Sequence, residues 1–240
     1  MNVDLDRCRA GLSRAAFAVA VALLAGCAAA PSREDPLEPM NRTLYQFHDT
    51  VDTAVVKPVA QAYIDVVPEP IRAGVSNVFN NVEDLISAVN GLLQGKLDKF
   101  GDDLARVVLN TTFGVGGIFD LASMIGIERG NEDFGQTFGA WGFPQGPYFF
   151  IPFFGPTTVR DGTGTVVRIM VGPVGYIPNV PLRNSLYGTG YVDLRAQAIS
   201  AGAIVDTAAL DRYLFIRNAY LQRRRYLVYD GKPPPEPEEP

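Results

Sequence analysis

Between Gly139 and Gly162 the chain reads GAWGFPQGPYFFIPFFGPTTVRDG, seven aromatic residues and four prolines set among five glycines. Prolines at this density forbid a continuous helix. The centre, Tyr148 to Phe154, is seven residues without a charge, far short of the about 20 apolar residues that a bilayer span needs. Two placements suit so apolar a stretch. It can be a wedge buried between helices, each ring removing a large area from water, or it can present a surface to lipid or to a partner. The choice depends on the medium in which the rest of the chain folds.

The N-terminus specifies that medium. Arg7, Arg9 and Arg14 precede a short uncharged apolar run, Ala15 to Leu24, and then Leu24-Ala25-Gly26-Cys27. This is the layout of a secretory signal peptide over residues 1–26. With cysteine after the small residues it resembles the bacterial lipobox, which implies cleavage before Cys27, a covalent lipid on its thiol and acylation of the new N-terminus. Each buried lipid CH₂ contributes about 0.8 kcal/mol, so more than one chain anchors stably. Cys8 lies in the removed segment, and the mature chain is expected to hold no disulfide. In lipoproteins that this N-terminus resembles, an Asp after the cysteine implies inner-membrane retention, so Ala28 implies the outer membrane. Residues 27–35 read as a lipidated tether of about 28 Å reach, so the domain expected over 36–230 lies at a membrane surface or in it. The Pro/Glu tail, 231–240, is expected to be disordered, extended and solvated.

A chain of 240 residues with 47% hydrophobic and 20% charged residues can form one globular domain. Its net charge of -5, with no broad basic stripe, argues against a nucleic-acid partner. Apolar residues recur at helical spacing: Leu44, Phe47, Val51 and Val55, with Pro58 ending or kinking that helix; Ile71, Val75, Val78, Phe79 and Val82; then Leu85, Val89, Leu92 and Leu93, closed by Gly95. A helix from Leu97 or Asp98 to Thr112 is expected to carry Phe100, Leu104, Val107 and Val108 inward. Another is expected over about Val159–Val171. Two closing helices are marked by Tyr191, Leu194, Ala198 and Val205, and by Leu210, Tyr213, Ile216, Tyr220 and Leu227. No strand alternation emerges. The expected class is all-α, a single domain of short amphipathic helices with Pro/Gly breaks, mostly under about 24 Å long, against a hydrocarbon core of about 30 Å. Such a domain can embed in one leaflet.

Catalytic chemistry finds little support. The mature chain has no thiol to spare and no G-x-S-x-G turn, and its single histidine, His48, reads as a helix-face residue making one hydrogen bond. One histidine also disfavours a metal site. Gly114 to Gly117 follows a helix rather than a strand, which disfavours a nucleotide loop. Asp98, Asp102 and Asp103 read as a solvated helix start, and Arg160-Asp161 as a local pair. The basic concentration Arg217, Arg223, Arg224 and Arg225 either serves a helix C-terminus or meets lipid phosphates, making these four candidate headgroup contacts. With a membrane at hand, Phe149, Phe150, Phe153 and Phe154 become candidate lipid contacts, and Trp141 and Tyr148 candidate interface residues.

Taken with Cys27, the motifs Asp35-Pro36-Leu37-Glu38, Asn41-Arg42, Lys57-Pro58-Val59-Ala60, Leu93-Gln94-Gly95 and Asn110-Thr111-Thr112 resemble the MlaA/VacJ lipoproteins. Phe134-Gly135-Gln136-Thr137, Gly146-Pro147-Tyr148, Gly155-Pro156, Arg160-Asp161, Arg217, Tyr220 and Arg224 continue the match over nearly all of the mature chain. His48 and Arg212 depart from the family pattern. The resemblance implies a ring of helices in the inner leaflet of the outer membrane, lipid-anchored on the periplasmic side, often beside a trimeric porin. It implies a non-enzymatic channel without cofactor, other than the lipid on Cys27, that moves phospholipids from the outer leaflet to a soluble periplasmic carrier. A structural lipoprotein scaffolding other envelope proteins is the alternative.

Overall fold

The structure, a computed structural model, describes residues 35–235. The signal peptide, Cys27 and the last five residues of the tail lie outside them, so the anchor and most of the tether are not placed. The first described residue, Asp35, which the expected tether includes, is fully buried.

Helix α1 (Glu38–Val51), a π-helical turn (Asp52–Val56) and α2 (Lys57–Val66) form one uninterrupted helical run. Pro58 therefore does not end the helix. Its ring would collide with a carbonyl one turn back in a regular helix, and the wider π turn just before it relieves that conflict; the Lys57 amide donates to Asp52 O, five residues back. The two stripes expected to be separate helices between Ile71 and Leu93 belong to one, α3 (Glu69–Leu93), opened by Pro70 in its first turn. At 25 residues it is about 37 Å long, so not every helix is short. Its length would suffice to cross a membrane but its composition does not: among the described residues no helix is both long and apolar enough.

Next come α4 (Leu97–Thr112), the single turn α5 (Leu121–Met124) and α6 (Phe134–Ala140). The centre of the aromatic stretch is a hairpin of β1 (Tyr148–Ile151) and β2 (Gly155–Thr158), antiparallel, with Tyr148 opposite Thr158 and Ile151 opposite Gly155. This strand pair is absent from the expected all-helical layout. Helix α7 occupies Val159–Val171 as the stripe predicts, then a 3₁₀ turn (Pro173–Tyr176), α8 (Val180–Gln197), α9 (Ile199–Ala208) and α10 (Arg212–Val228) follow. The first expected closing helix is thus two, parted at Ala198.

Contacts between elements close on themselves: α1 packs on β1, β2 on α7, α7 on α6, α6 on α3, α3 on α8, α8 on α2, and α2 returns through the π turn to α1. Helix α4 lies against α3, and α10 contacts α6 and β2. The protein is a helical circuit with one hairpin in its wall.

Polarity in this circuit is inverted. Among the described residues, buried polar and charged side chains outnumber buried apolar ones, while large apolar residues stand exposed along nearly every helix. On α4, Leu104 is 40% and Val108 51% exposed, whereas Asp103, Arg106 and Asn110 are buried. On α3, Leu85, Val89, Leu92 and Leu93 are exposed and Asp84, Ser87 and Asn90 buried. Of the stripe expected to point inward on α4, Leu104 and Val108 point outward, while Phe100 and Val107 are half-buried.

Candidate functional site

The hairpin divides the aromatic stretch by the alternation of a strand, whose successive side chains leave opposite faces. Tyr148 and Phe150 are buried and pack edge-to-face with Tyr45 and Tyr213, so neither can touch lipid. Phe149 is half-buried, and Phe153 and Phe154 at the tip are exposed, as is Trp141. Ile151 and Phe143, which sequence reasoning passed over, join the exposed set. The tip is a turn closed by the Phe154 amide on Ile151 O at 3.1 Å, with Pro152 and then Phe153 at its corners. Phe153 holds φ of 69°, a position that normally takes glycine and costs a side chain about 1–3 kcal/mol. The α1 residues beside it hold it there: the Phe153 amide donates to His48 Nδ1 at 3.3 Å, and the Phe47 ring meets it edge-on. This is the one hydrogen bond expected of His48, whose pKa burial pushes below its ordinary value.

Behind the hairpin lies Asp35. Asn41 donates to its carboxylate at 2.8 Å and to Tyr148 O, and accepts from the Phe150 amide, stitching the chain start to β1. Tyr213 donates to Asp35 as well, and Arg217 reaches it at 3.4 Å and Glu38 at 3.3 Å. Burial, followed by the charge of Asp35, raises the pKa of Tyr148, and burial with the Asp35 bond raises that of Tyr213.

A second cluster joins α6, α7 and α10. Arg224 bonds Asp133 at 2.5 and 2.9 Å and Asp161 at 3.0 and 3.1 Å, and Tyr220 donates to Asp161 at 2.8 Å. Burial opposes the charged form of Asp133, but the Arg224 bonds outweigh it and hold the carboxyl below its usual range. Arg160-Asp161, read as a local pair, belongs to this cluster. A Cβ on Gly135 would come within 2.7 Å of Arg224 and 2.6 Å of Asp161, so the close approach requires glycine there.

The third cluster lies between α3, α4 and α5. Arg106 donates to Asp84 at 2.9 Å, to Asp120 at 3.0 and 3.1 Å, to Ser123 and to Ile127 O. Asp120, opposed by burial but bonded by Ser123, Arg106 and Asn110, is held down to about 2. Asp103, expected to be solvated with Asp98 and Asp102, is instead buried; it accepts from Ser87 and the Gly130 amide, and burial raises its pKa.

Of the four candidate headgroup arginines, then, Arg217 and Arg224 are buried and bound to carboxylates within the fold, which corrects their expected role. Arg223 is exposed, and Arg225 lines a cavity. Asp133, Asp120 and Asp84 were missed, although a signal was present: Asp84, Ser87 and Asn90, like Asp103, Arg106 and Asn110, recur at helical spacing and form a polar stripe as regular as the apolar one.

The profile of the MlaA lipoprotein family matches residues 33–227. The intermembrane phospholipid transport system lipoprotein MlaA of Escherichia coli (strain K12) is 33% identical over 233 residues, covering 94% of this chain and 92% of the relative. The protein of that name from Haemophilus influenzae is 34% identical over 207 residues, covering 83% and 81%. A solved structure described under "Structural basis for maintenance of bacterial outer membrane lipid asymmetry" superposes with a TM-score of 0.72 at 32% identity, covering 82% of this chain and all of that one.

Proposed function

The chain belongs to the MlaA lipoprotein family, and from that premise we propose that it is a phospholipid conduit of the outer membrane, acting without bond cleavage to keep the two leaflets asymmetric. The observation that carries this reading is the inverted polarity: paired charges inside, large apolar side chains outside. In water such an arrangement forfeits the burial of apolar surface that drives folding. In a leaflet the exposed stripes are solvated by acyl chains, and every buried charge has its partner within the protein, as a low-dielectric surrounding demands.

A flipping phospholipid is opposed by the cost of moving its charged headgroup through hydrocarbon. A polar path along the circuit lowers that cost while the tails stay among apolar side chains. In this reading the lipid on Cys27 anchors the protein on the periplasmic side, the exposed hairpin tip and Trp141 sit in the leaflet and at its interface, a trimeric porin stands beside the wall, and a soluble periplasmic carrier takes the lipid onward. Direction comes from the downstream acceptor.

The test is deletion of the gene followed by labelling of phospholipid from outside the cell. The conduit predicts outer-leaflet phospholipid accumulating, restored by a plasmid copy. Unchanged labelling with defective porin assembly would instead assign the protein a scaffolding role.

A further inference from the structure

Arg160 differs from the other buried arginines in what it leaves unused. Its side chain is 8% exposed, and its Nε donates to Asp161 Oδ1 at 3.0 Å. Among the described residues neither of its Nη atoms has a partner. They face a cavity of about 290 Å³ between the loop that follows α6 and the last turns of α10, whose wall includes Phe143, Gln145, Arg225 and Tyr229. A Cβ on Gly139 would lie 3.0 Å from Arg160 Nη1 and 2.8 Å from Val228 Cγ1, so the guanidinium packs closely against that backbone.

Gln145 adds the second donor. Its carbonyl accepts from the Arg160 amide at 3.2 Å, fixing the loop above the arginine. Its side-chain Nε2 is buried and has no hydrogen-bond partner in the described residues, an arrangement that ordinarily costs about 1–3 kcal/mol unless a ligand supplies the acceptor. A guanidinium edge and an amide, both lacking acceptors and converging on one cavity, fit an anion with several oxygens. Two aromatic rings stand at the rim, Phe143 at 58% and Tyr229 at 48% exposed, a pairing of apolar and amphipathic rings suited to the membrane–water interface.

We propose that this cavity binds the phosphodiester of a phospholipid headgroup, with Arg160 and Gln145 as its donors. The site rests on the lipid-conduit reading for the identity of its ligand. The same donors would suit inorganic phosphate, and the rim favours the lipid. At this volume the cavity is at the small end of ligand pockets, about 300–1,000 Å³, and takes the headgroup while the tails stay outside.

Trp141 is the single tryptophan of the chain and directly precedes Gly142 and Phe143 of the cavity wall, so its emission is the probe. The full chain in detergent is titrated with dihexanoyl phosphatidylglycerol, with dihexanoylglycerol, which lacks the phosphate, and with inorganic phosphate, while Trp141 emission is followed. The phospholipid is expected to shift emission saturably and dihexanoylglycerol is not. Gln145→Glu, which sets a carboxylate beside Arg160, weakens the phospholipid by about tenfold or more, as loss of a charge-assisted site should, with its unfolding temperature unchanged; Arg160→Lys, which keeps charge but loses the fork, weakens it less. Equal response to dihexanoylglycerol, inorganic phosphate binding as tightly as the lipid, or unchanged affinity in a folded Gln145→Glu protein would each overturn the assignment. Absence of binding beside a normal deletion phenotype sinks the site alone; saturable binding beside a silent deletion sinks the conduit alone.

Discussion

Arg106 and Arg160 are both largely hidden arginines, their side chains 1% and 8% exposed, with opposite patterns of bonding. Arg106 spends its whole fork within the fold, on two aspartates, a serine and a carbonyl; Arg160 commits one nitrogen and turns the rest to a cavity. Burial alone thus does not separate a structural charge from a binding one. The difference lies in whether neighbouring elements bring enough acceptors: α3, α4 and α5 surround Arg106, whereas the aromatic loop beside Arg160 offers an acceptor to its backbone amide but none to its guanidinium.

The contrast breaks if both arginines respond alike to removal. Arg106→Met leaves Asp84 and Asp120 without their shared cation and is expected to destabilise the protein by about 3–5 kcal/mol, read as a lowered denaturant midpoint in detergent. Arg160→Met removes a single charge-assisted bond, about 1.5–3 kcal/mol, so its midpoint falls less. Equal losses would make Arg160 as structural as Arg106.

Next in size is the outward stripe near the Arg106 cluster. In a Cys27→Ser background, Leu104→Asp puts a charge where lipid is expected, at a cost of up to about 2.5–3.5 kcal/mol, and should move protein from the membrane fraction to the soluble one. Leu104→Ala in detergent should cost under about 1 kcal/mol, in place of the about 2–5 kcal/mol of a core leucine. A core-sized loss would mean that Leu104 packs against protein.

The smallest effect is the Arg106 cluster's share of the pH dependence. Asp120 has its folded pKa lowered from 3.8 to about 2, so the stability it contributes is present above about pH 4 and lost as pH falls toward 2. The denaturant midpoint should therefore drop between pH 5 and pH 2.5, and Asp120→Asn should flatten part of that drop. An identical pH profile in the variant would show that Asp120 gains nothing from its partners.

Much of the fold was legible. The limits of α4 and α7 follow from stripe spacing and from Thr158, which caps α7 by accepting from the Asp161 amide. The hairpin was not, because β1 alternates in burial while its residues are apolar on both faces, and β2, Gly155-Pro156-Thr157-Thr158, does not alternate at all, so no polar alternation betrays them. Nor was the part played by Arg217 and Arg224, since their partners stand far along the chain, Asp35 at 182 residues' distance and Asp133 at 91.

By itself the sequence determined the period of each amphipathic face, the proline and glycine breaks, and through Leu24-Ala25-Gly26-Cys27 the expectation of a membrane. Periodicity divides a helix into two faces and is silent on which face turns inward, because apolar side chains are satisfied equally by a protein core and by acyl chains. Tertiary structure decided that point: only when α3 meets α4, and α10 meets α6, do the polar faces find their opposite charges, and the apolar faces are then left pointing out.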